Sequence, residues 1–293
     1  MTEKEWLAGK FEENRGHLRA VAYRMLGSLN DADDAIQETW LRLNGSDAAG
    51  IENLGGWLTT VVARVCLDML RSRKSRREDE IDAQPSRPGT LHSAMANPEQ
   101  EALMADSVGL ALLIVLDRLK PSERLAFVLH DIFGASFEEI GGIVGRSPEA
   151  ARQLASRARR RVQGAPLPDT EIALQRKVVG KFLEALRAAD FEAMIAVLDP
   201  NVHVHLDEAG ARPGGPTEIH GAANWARGAV TFSHAAPFTR AMLVNGSVGL
   251  VWAPAGRLLR AVTFGFANGK IATVDVVADP KRLRELDLAV LQD

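Results

Sequence analysis

Residues 147–161, SPEAARQLASRARRR, set a stripe of small apolar side chains against a stripe of arginines. That pattern suits a helix that enters a DNA major groove. At helical spacing Ala151, Leu154, Ala155, Ala158 and Val162 share one face, and Arg152, Gln153, Ser156, Arg157 and Arg160 share the other. The outer face supplies donors that pair with guanine O6/N7, with adenine and with phosphate. Ser147 can cap this helix with Pro148 in its first turn, so Ser147 and Glu149 stand at the end nearest the groove. The stretch before it, FEEIGGIVGR (137–146), reads as the first helix of a helix-turn-helix. Ser136 and Glu139 have capping-box spacing, and Gly145 suits the left-handed residue that ends the helix. The same pattern also fits a solvated basic helix in an ordinary bundle.

A second basic cluster lies far upstream. Arg71, Arg73, Lys74, Arg76 and Arg77 end a long helical pattern, GWLTTVVARVCLDMLRSRKSRR, that also carries Arg64. These cations can meet phosphates. Before them NGSDAAGIENLGG (44–56) is a loop by composition, in which Asn53, Gly55 and Gly56 allow close backbone approach. Trp57 follows; it is a candidate DNA contact, with core packing as the alternative. A third segment, DADDAIQETWLRL, sets Asp33, Asp34, Gln37, Glu38 and Arg42 outward and Ile36, Trp40 and Leu43 inward. Asp31 is expected to cap this helix, with Asp33 and Asp34 favourable in its first turn.

Near the other end His203, His205 and Asp207 alternate on a predicted strand and so share a face. They can ligate a metal or act as acid and base, or they can be polar strand residues. No third ligand with fitting spacing is evident, and His220 reads as a turn or cap residue. No metal and no cofactor is expected.

Net charge is −3, so the field that a phosphate meets comes from the clusters and not from the total. The lone Cys66 excludes an internal disulfide and a cysteine metal cluster, fits a reducing cytoplasm, and falls in an apolar helical pattern that predicts burial. The charged start MTEKEWLAGKFEENRG lacks a signal-peptide core, and no apolar run of about 18 residues is present, so no membrane partner is expected.

The chain of 293 residues divides by pattern into helices over residues 1–78, a Pro/Ser/Gly-rich linker over 79–98, and helices over 99–165. The second helical stretch runs 99–119 and 121–133, broken at Lys120-Pro121, before the helix-turn-helix. GAPLPD (164–169) is a second linker. Residues 170–293 then give two helices (170–188, 190–198) and strands at 201–206, 239–245, 247–253, 257–267 and 271–278. Turn signals at Asn245-Gly246 and Asn268-Gly269 separate strands, and a last helix is predicted over 280–290. The fold class is multidomain, all-α followed by α+β. Trp225, Phe232, Phe238, Trp252, Phe264 and Phe266 supply large apolar side chains to that last domain.

On these blocks the first 165 residues resemble a bacterial extracytoplasmic-function (ECF) RNA polymerase sigma factor. DADDAIQETWLRL with GWLTTVVARVCLDMLRSRKSRR looks like sigma region 2, and ERLAFVLHDIFGASFEEIGGIVGRSPEAARQLASRARRRV like region 4. HGAANWARG (220–228) and VVADPKRL (276–283) make the tail similar to the SnoaL-like branch of the NTF2-like fold, which implies a cone around an apolar cavity that those six aromatic residues would line, unless they are core. The resemblance implies a non-enzymatic, cytoplasmic transcription factor. Asp33, Asp34, Gln37, Glu38 and Arg42 would meet the β′ clamp helices of core RNA polymerase, whose β flap is a further partner. Promoter DNA would be read at the −10 element by Asn53, Trp57, Arg64, Arg71, Arg73, Lys74, Arg76 and Arg77. At the −35 element Ser147, Glu149, Arg152, Gln153, Ser156, Arg157 and Arg160 would read it. The SnoaL-like tail would regulate in cis, and an anti-sigma partner cannot be read from the residues. A ligand-regulated DNA-binding protein, whose tail binds a small molecule or keeps enzyme activity, is the alternative. Its weakness is that a simple repressor has no use for the region 2 block.

Overall fold

A computed structural model describes residues 3–46, 51–81, 109–164, 169–212 and 214–291. Contacts divide the chain into two compact units, one of Met1–Asn97 with Leu116–Arg159, the other of Pro98–Val115 with Arg160–Asp293.

The first unit begins with helices α1 (Glu3–Leu26), α2 (Leu29–Asn44) and α3 (Leu54–Ile81). Their interlocking apolar positions include Leu18, Val21 and Met25 of α1, Ile36 and Leu43 of α2, and Leu58, Val62 and Leu67 of α3, all buried. Trp40 packs on Phe11 with ring centroids 5.0 Å apart. Ser28, not Asp31, caps α2: its side chain accepts the Asp31 N–H. The sequence places the cap too late because Leu29 is already helical, which moves Asp31 into the first turn. There its carboxylate pairs with Arg73 of α3. Cys66 is buried as expected, and burial pushes its thiol up to about 12, against the pull of Arg124 and Arg73.

α4 (Leu110–Asp117) and α5 (Pro121–Phe127) are separated by an extended Lys120, the expected proline break. The expected 79–98 linker and the predicted helical residues 99–108 lie outside the described residues, save that α3 runs on to Ile81. A π-helical turn at Val128–Ile132 follows α5. Then come α6 (Phe137–Val144) and α7 (Pro148–Gln163).

The second unit holds the predicted α+β domain. Helices α8 (Asp169–Ala188) and α9 (Phe191–Val197) precede β1 (Leu198–Leu206), β2 (Glu218–His220) and α10 (Ala222–Val230). Strands β3 (Thr239–Val244), β4 (Ser247–Trp252), β5 (Arg260–Ala267) and β6 (Lys270–Val277) form the meander. A short α11 (Pro280–Glu285) and β7 (Leu288–Ala289) close it, in a sheet ordered β2-β1-β6-β5-β4-β3-β7. Asn245-Gly246 and Asn268-Gly269 both have positive φ at each residue, as tight hairpin turns require. Strands β2 and β7 have too few residues for an alternation signal, and β7 replaces the end of the predicted last helix. Val179, Phe182 and Leu186 of α8 pack on Val202, Val204, Leu250 and Phe264 of the sheet. Gln175 of α8 is buried as well, and its side-chain oxygen accepts the Val248 N–H at 2.9 Å.

The burial of Cys66 generates a direct test. The thiolate is the reactive form, and a thiol raised to about 12 supplies almost none of it at pH 8. In the native protein Cys66 should react with a disulfide reagent at least about a hundredfold more slowly than after unfolding. The unfolded thiol ionises first, so this stabilisation is complete below the ordinary thiol range and is lost as pH rises toward the folded value. Equal labelling rates in native and denatured protein at pH 8 would show the burial to be wrong.

Candidate nucleic-acid interface

The helix-turn-helix is built as its sequence reads. Ser136 accepts the Glu139 N–H while Glu139 accepts the Ser136 N–H at 2.8 Å, closing the capping box of α6. Gly145 ends α6 at φ 70. Gly141 sits where the turn doubles back: a Cβ there would lie 2.7 Å from the Arg146 carbonyl oxygen. Ser147 accepts the Ala150 N–H at the start of α7. Ala151, Leu154, Ala155, Ala158 and Val162 are all buried. Ser147, Glu149, Arg152, Gln153, Ser156, Arg157 and Arg160 are all exposed. The Glu149 carboxylate is held below its ordinary range by its own backbone N–H and the Ser147 hydroxyl. The Arg152 guanidinium lies over the Phe137 ring, 5.2 Å from its centroid, a cation–π contact between α7 and the start of α6. Arg159 pairs with Asp131 at 2.5 Å, so it braces the helix-turn-helix and leaves the outer face to its neighbours.

The upstream candidates divide. Asn53 caps α3, with its side-chain oxygen accepting the Gly56 N–H at 3.0 Å. Gly56 cannot bear a Cβ without meeting the Asn53 amide at 2.8 Å. Trp57 is half-buried. Arg64 is exposed and donates to the Gly142 carbonyl of α6 at 3.2 Å. Arg71 lies 3.8 Å from Asp68, and Arg73 joins Asp31 and the Leu26 carbonyl. Lys74 is exposed. Arg76 and Arg77 lie on the α3 backbone, and their side chains fall outside the described residues, as does the loop 47–50.

On α2, Asp33, Asp34, Gln37 and Arg42 are exposed and Glu38 is half-buried. Asp33 forms a two-pronged pair with Arg19 of α1 at 2.9 and 3.1 Å, and Glu38 pairs with Arg42 at 2.9 Å. Leu41 lies among them, 58% exposed. The sequence pattern gives Leu41 no role of its own, because its neighbours Trp40 and Leu43 fit the inward stripe. Its signal is that it breaks that stripe.

α1 to α3 meet the helix-turn-helix side of the same unit through Arg124 of α5, which is 2% exposed. Its guanidinium donates two hydrogen bonds to the Arg24 carbonyl, at 3.1 and 3.0 Å. Burial pulls it down to about 10, against the attraction of Asp117.

In the α+β domain His203 and His205 point away from the core, on the face opposite Val202 and Val204. Asp207 does not join them. Its carboxylate accepts the N–H groups of Gly210, Ala278 and Asp279 at 2.7 to 2.9 Å, tying the end of β1 to the start of α11. The partners that the histidines do have come from β2. Glu218 and His220 stand opposite His205 and His203 in the antiparallel register. His220 is thus a strand residue, and a three-residue strand gave no sequence signal. Of the six aromatic residues, Phe264 is buried in the core, while Trp225 and Phe266 pack against it. Phe232 lies beneath Arg260 at 4.9 Å. A cavity of about 390 Å³ is lined instead by Ile195, Leu198, Pro200, Ala222, Asn224 and Lys270, among others, and by none of the six.

A three-helix bundle with an acidic helix and an arginine-bearing one, joined to a capped helix-turn-helix with an arginine outer face, defines a sigma-type transcription factor. Residues 11–76 match the sigma-70 region 2 family and residues 110–162 match sigma-70 region 4. The chain is 32% identical to the probable ECF RNA polymerase sigma factor SigI of Mycobacterium tuberculosis, over 98% of each chain. It is 38% identical to SigJ of the same organism, over 72% of this chain and 68% of that one. The crystal structure of M. tuberculosis SigJ aligns with 94% of this chain and 98% of its own, at 30% identity and a TM-score of 0.45. The chain belongs to the ECF RNA polymerase sigma factors, and so directs transcription. Among the described residues no helix is long and apolar enough to cross a membrane.

The capping box sets a measurable expectation. Ser136→Ala removes the acceptor for the Glu139 N–H and should cost about 1 kcal/mol in denaturant unfolding of the helical unit. An unchanged midpoint would mean that α6 does not depend on this cap.

Proposed function

We propose that this sigma factor docks on core polymerase through α2, reads the −10 element with α3 and the loop before it, and reads the −35 element with α7. We propose further that its α+β tail controls in cis how freely α7 is presented. On α2, the exposed Leu41 among Asp34, Gln37 and Arg42 supports docking, because an apolar anchor inside a charged rim is the composition of a protein contact. The β′ clamp helices are the expected partner there, with the β flap a second contact surface. The outward row of Arg152, Gln153, Ser156 and Arg157 supports groove reading.

One observation carries the cis-regulatory reading. The Val290 N–H, just past β7, donates to the Val162 carbonyl in the last turn of α7 at 2.8 Å. Gly164, at φ 72, allows this close approach: a Cβ there would lie 2.7 Å from the Ala289 Cβ. The last turn of α7, from Arg160, belongs to the same compact unit as the tail sheet and is joined to it there.

Size adds a second argument. The −10 and −35 elements are separated by roughly 25 base pairs, about 85 Å at 3.4 Å each. A compact unit of about 140 residues has a radius of gyration near 14 Å and spans only ~40 Å. The packing of α1–α3 with the helix-turn-helix through Arg124 and Arg64 must open before both elements are held at once.

A chain ending at Glu285 keeps α11 and loses β7 and Val290. Removing the bond at Val162 releases about 1 kcal/mol of restraint, so run-off transcription with core polymerase should rise about fivefold. Gly164→Ala, which wedges the same contact without truncation, should move the rate in the same direction. Rates equal to or below that of the full chain in both variants would remove the tail from control of α7. Arg152→Ala should cost about 1–3 kcal/mol in holoenzyme binding to the −35 element and relax base preference there. Unaltered affinity and preference would assign groove reading elsewhere. Exchanging Asp34 and Gln37 for arginine should weaken core binding at near-physiological salt while leaving the helical content unchanged. Undiminished co-purification with core polymerase would rule out this face.

A further inference from the structure

Strand β1 and its edge partner β2 carry four side chains on one outward face that the sigma function does not use. His203 faces His220 across the ladder, and His205 faces Glu218. The Glu218 carboxylate is divided between the two β1 histidines: Oε2 lies 2.8 Å from His203 Nε2, and Oε1 lies 2.9 Å from His205 Nδ1. The His203 and His220 rings are 4.5 Å apart between centroids, tilted by 47°. One ligand atom from each of His203, Glu218 and His220 lies within 4.8 Å of the other two.

We propose that His203, Glu218 and His220 bind a divalent cation of the zinc class. Two imidazoles and one carboxylate suit a borderline-soft ion, whereas calcium and magnesium require oxygen ligands throughout. Three ligands about 2.0–2.2 Å from a common zinc lie roughly 3.4 Å from one another in a tetrahedron, so small rotations of exposed side chains close the cluster. His205 is a positioning residue here. By holding Oε1 it turns Oε2 toward His203 and His220, the second-sphere role that carboxylate–imidazole pairs play around bound metals. The fourth position faces solvent, which leaves it to water or to a ligand atom from another molecule. The backbone is prepared in advance, because the four residues sit on an antiparallel ladder and not on a loop. β2 has only three residues and lies at the edge of the sheet, so a cation bridging it to β1 strengthens its weakest attachment.

The test uses the full chain and zinc alone, by isothermal titration after chelator treatment. Cobalt, whose visible absorption reports tetrahedral ligation, serves as a second probe. Binding of one zinc per chain at micromolar concentration or tighter is expected, with a rise in the melting temperature of the α+β domain. His203→Gln, Glu218→Gln and His220→Gln should each weaken binding at least tenfold and abolish the zinc-dependent rise. His205→Gln should weaken binding by less, and His234→Gln, away from the cluster, should leave it unchanged. All of these positions are exposed, so circular dichroism without metal should match the parent chain for each variant. Failure to bind stoichiometrically, or a loss in His234→Gln equal to that in His203→Gln, would overturn the site. These outcomes are independent of transcription, so they stand whatever the tail does to α7.

Discussion

The helical unit depends on one buried cation. Arg124 reaches from α5 to the end of α1, where the last carbonyls of a helix lack intrahelical partners and carry its partial negative charge. The guanidinium gives the Arg24 carbonyl two donors at once, which a lysine has no planar fork to imitate. Gly27 ends α1 at φ 75, and a Cβ there would sit 3.5 Å from an Arg124 terminal nitrogen, an ordinary contact. Desolvating a charge this far opposes folding, and Asp117, 3.7 Å away and half exposed, offsets only part of that. An interface centred on such a group is specific in geometry and costly to keep.

The α+β domain solves a different problem with a carboxylate. Asp207 leaves the histidine row and takes three backbone N–H groups, and Arg282 stands 3.5 Å from it. This fixes where β6 hands over to α11. Asp279 then caps α11, its carboxyl held below the ordinary range by the N–H groups of Arg282 and Lys281. α11 in turn sets the start of β7, whose Leu288 pairs with Val244 of β3. The bond from Val290 to the recognition helix therefore rests on a line of hydrogen bonds that begins at the end of β1.

Local chemistry determined much of this protein from sequence alone. The capping box of Ser136 and Glu139, the left-handed Gly145, the Asn-Gly turns and the buried stripe of α7 all follow from interactions within a few residues, which leave their pattern in the chain. The arginine and glutamine outer face of α7 was legible for the same reason: amphipathicity is a property of one helix. The order of helices before strands followed from the periods of their apolar residues.

What only the tertiary structure decided involves partners far apart in sequence. The α2 cap shifted by three residues because Ser28 is favoured by the start of the helix at Leu29, while Asp31 is drawn to Arg73 across the bundle. Arg124 reads as one more surface charge until α1 places a helix end above it. β2 and β7 are too short to alternate, so they exist only where a neighbouring strand supplies their ladder. That ladder puts Glu218 and His220 beside His203 and His205, and the requirements of the backbone at Ala278 and Asp279 take Asp207 away from them. Sequence spacing can bring together ligands of one strand. Ligands shared between two strands are brought together by register, and register is set by the whole sheet.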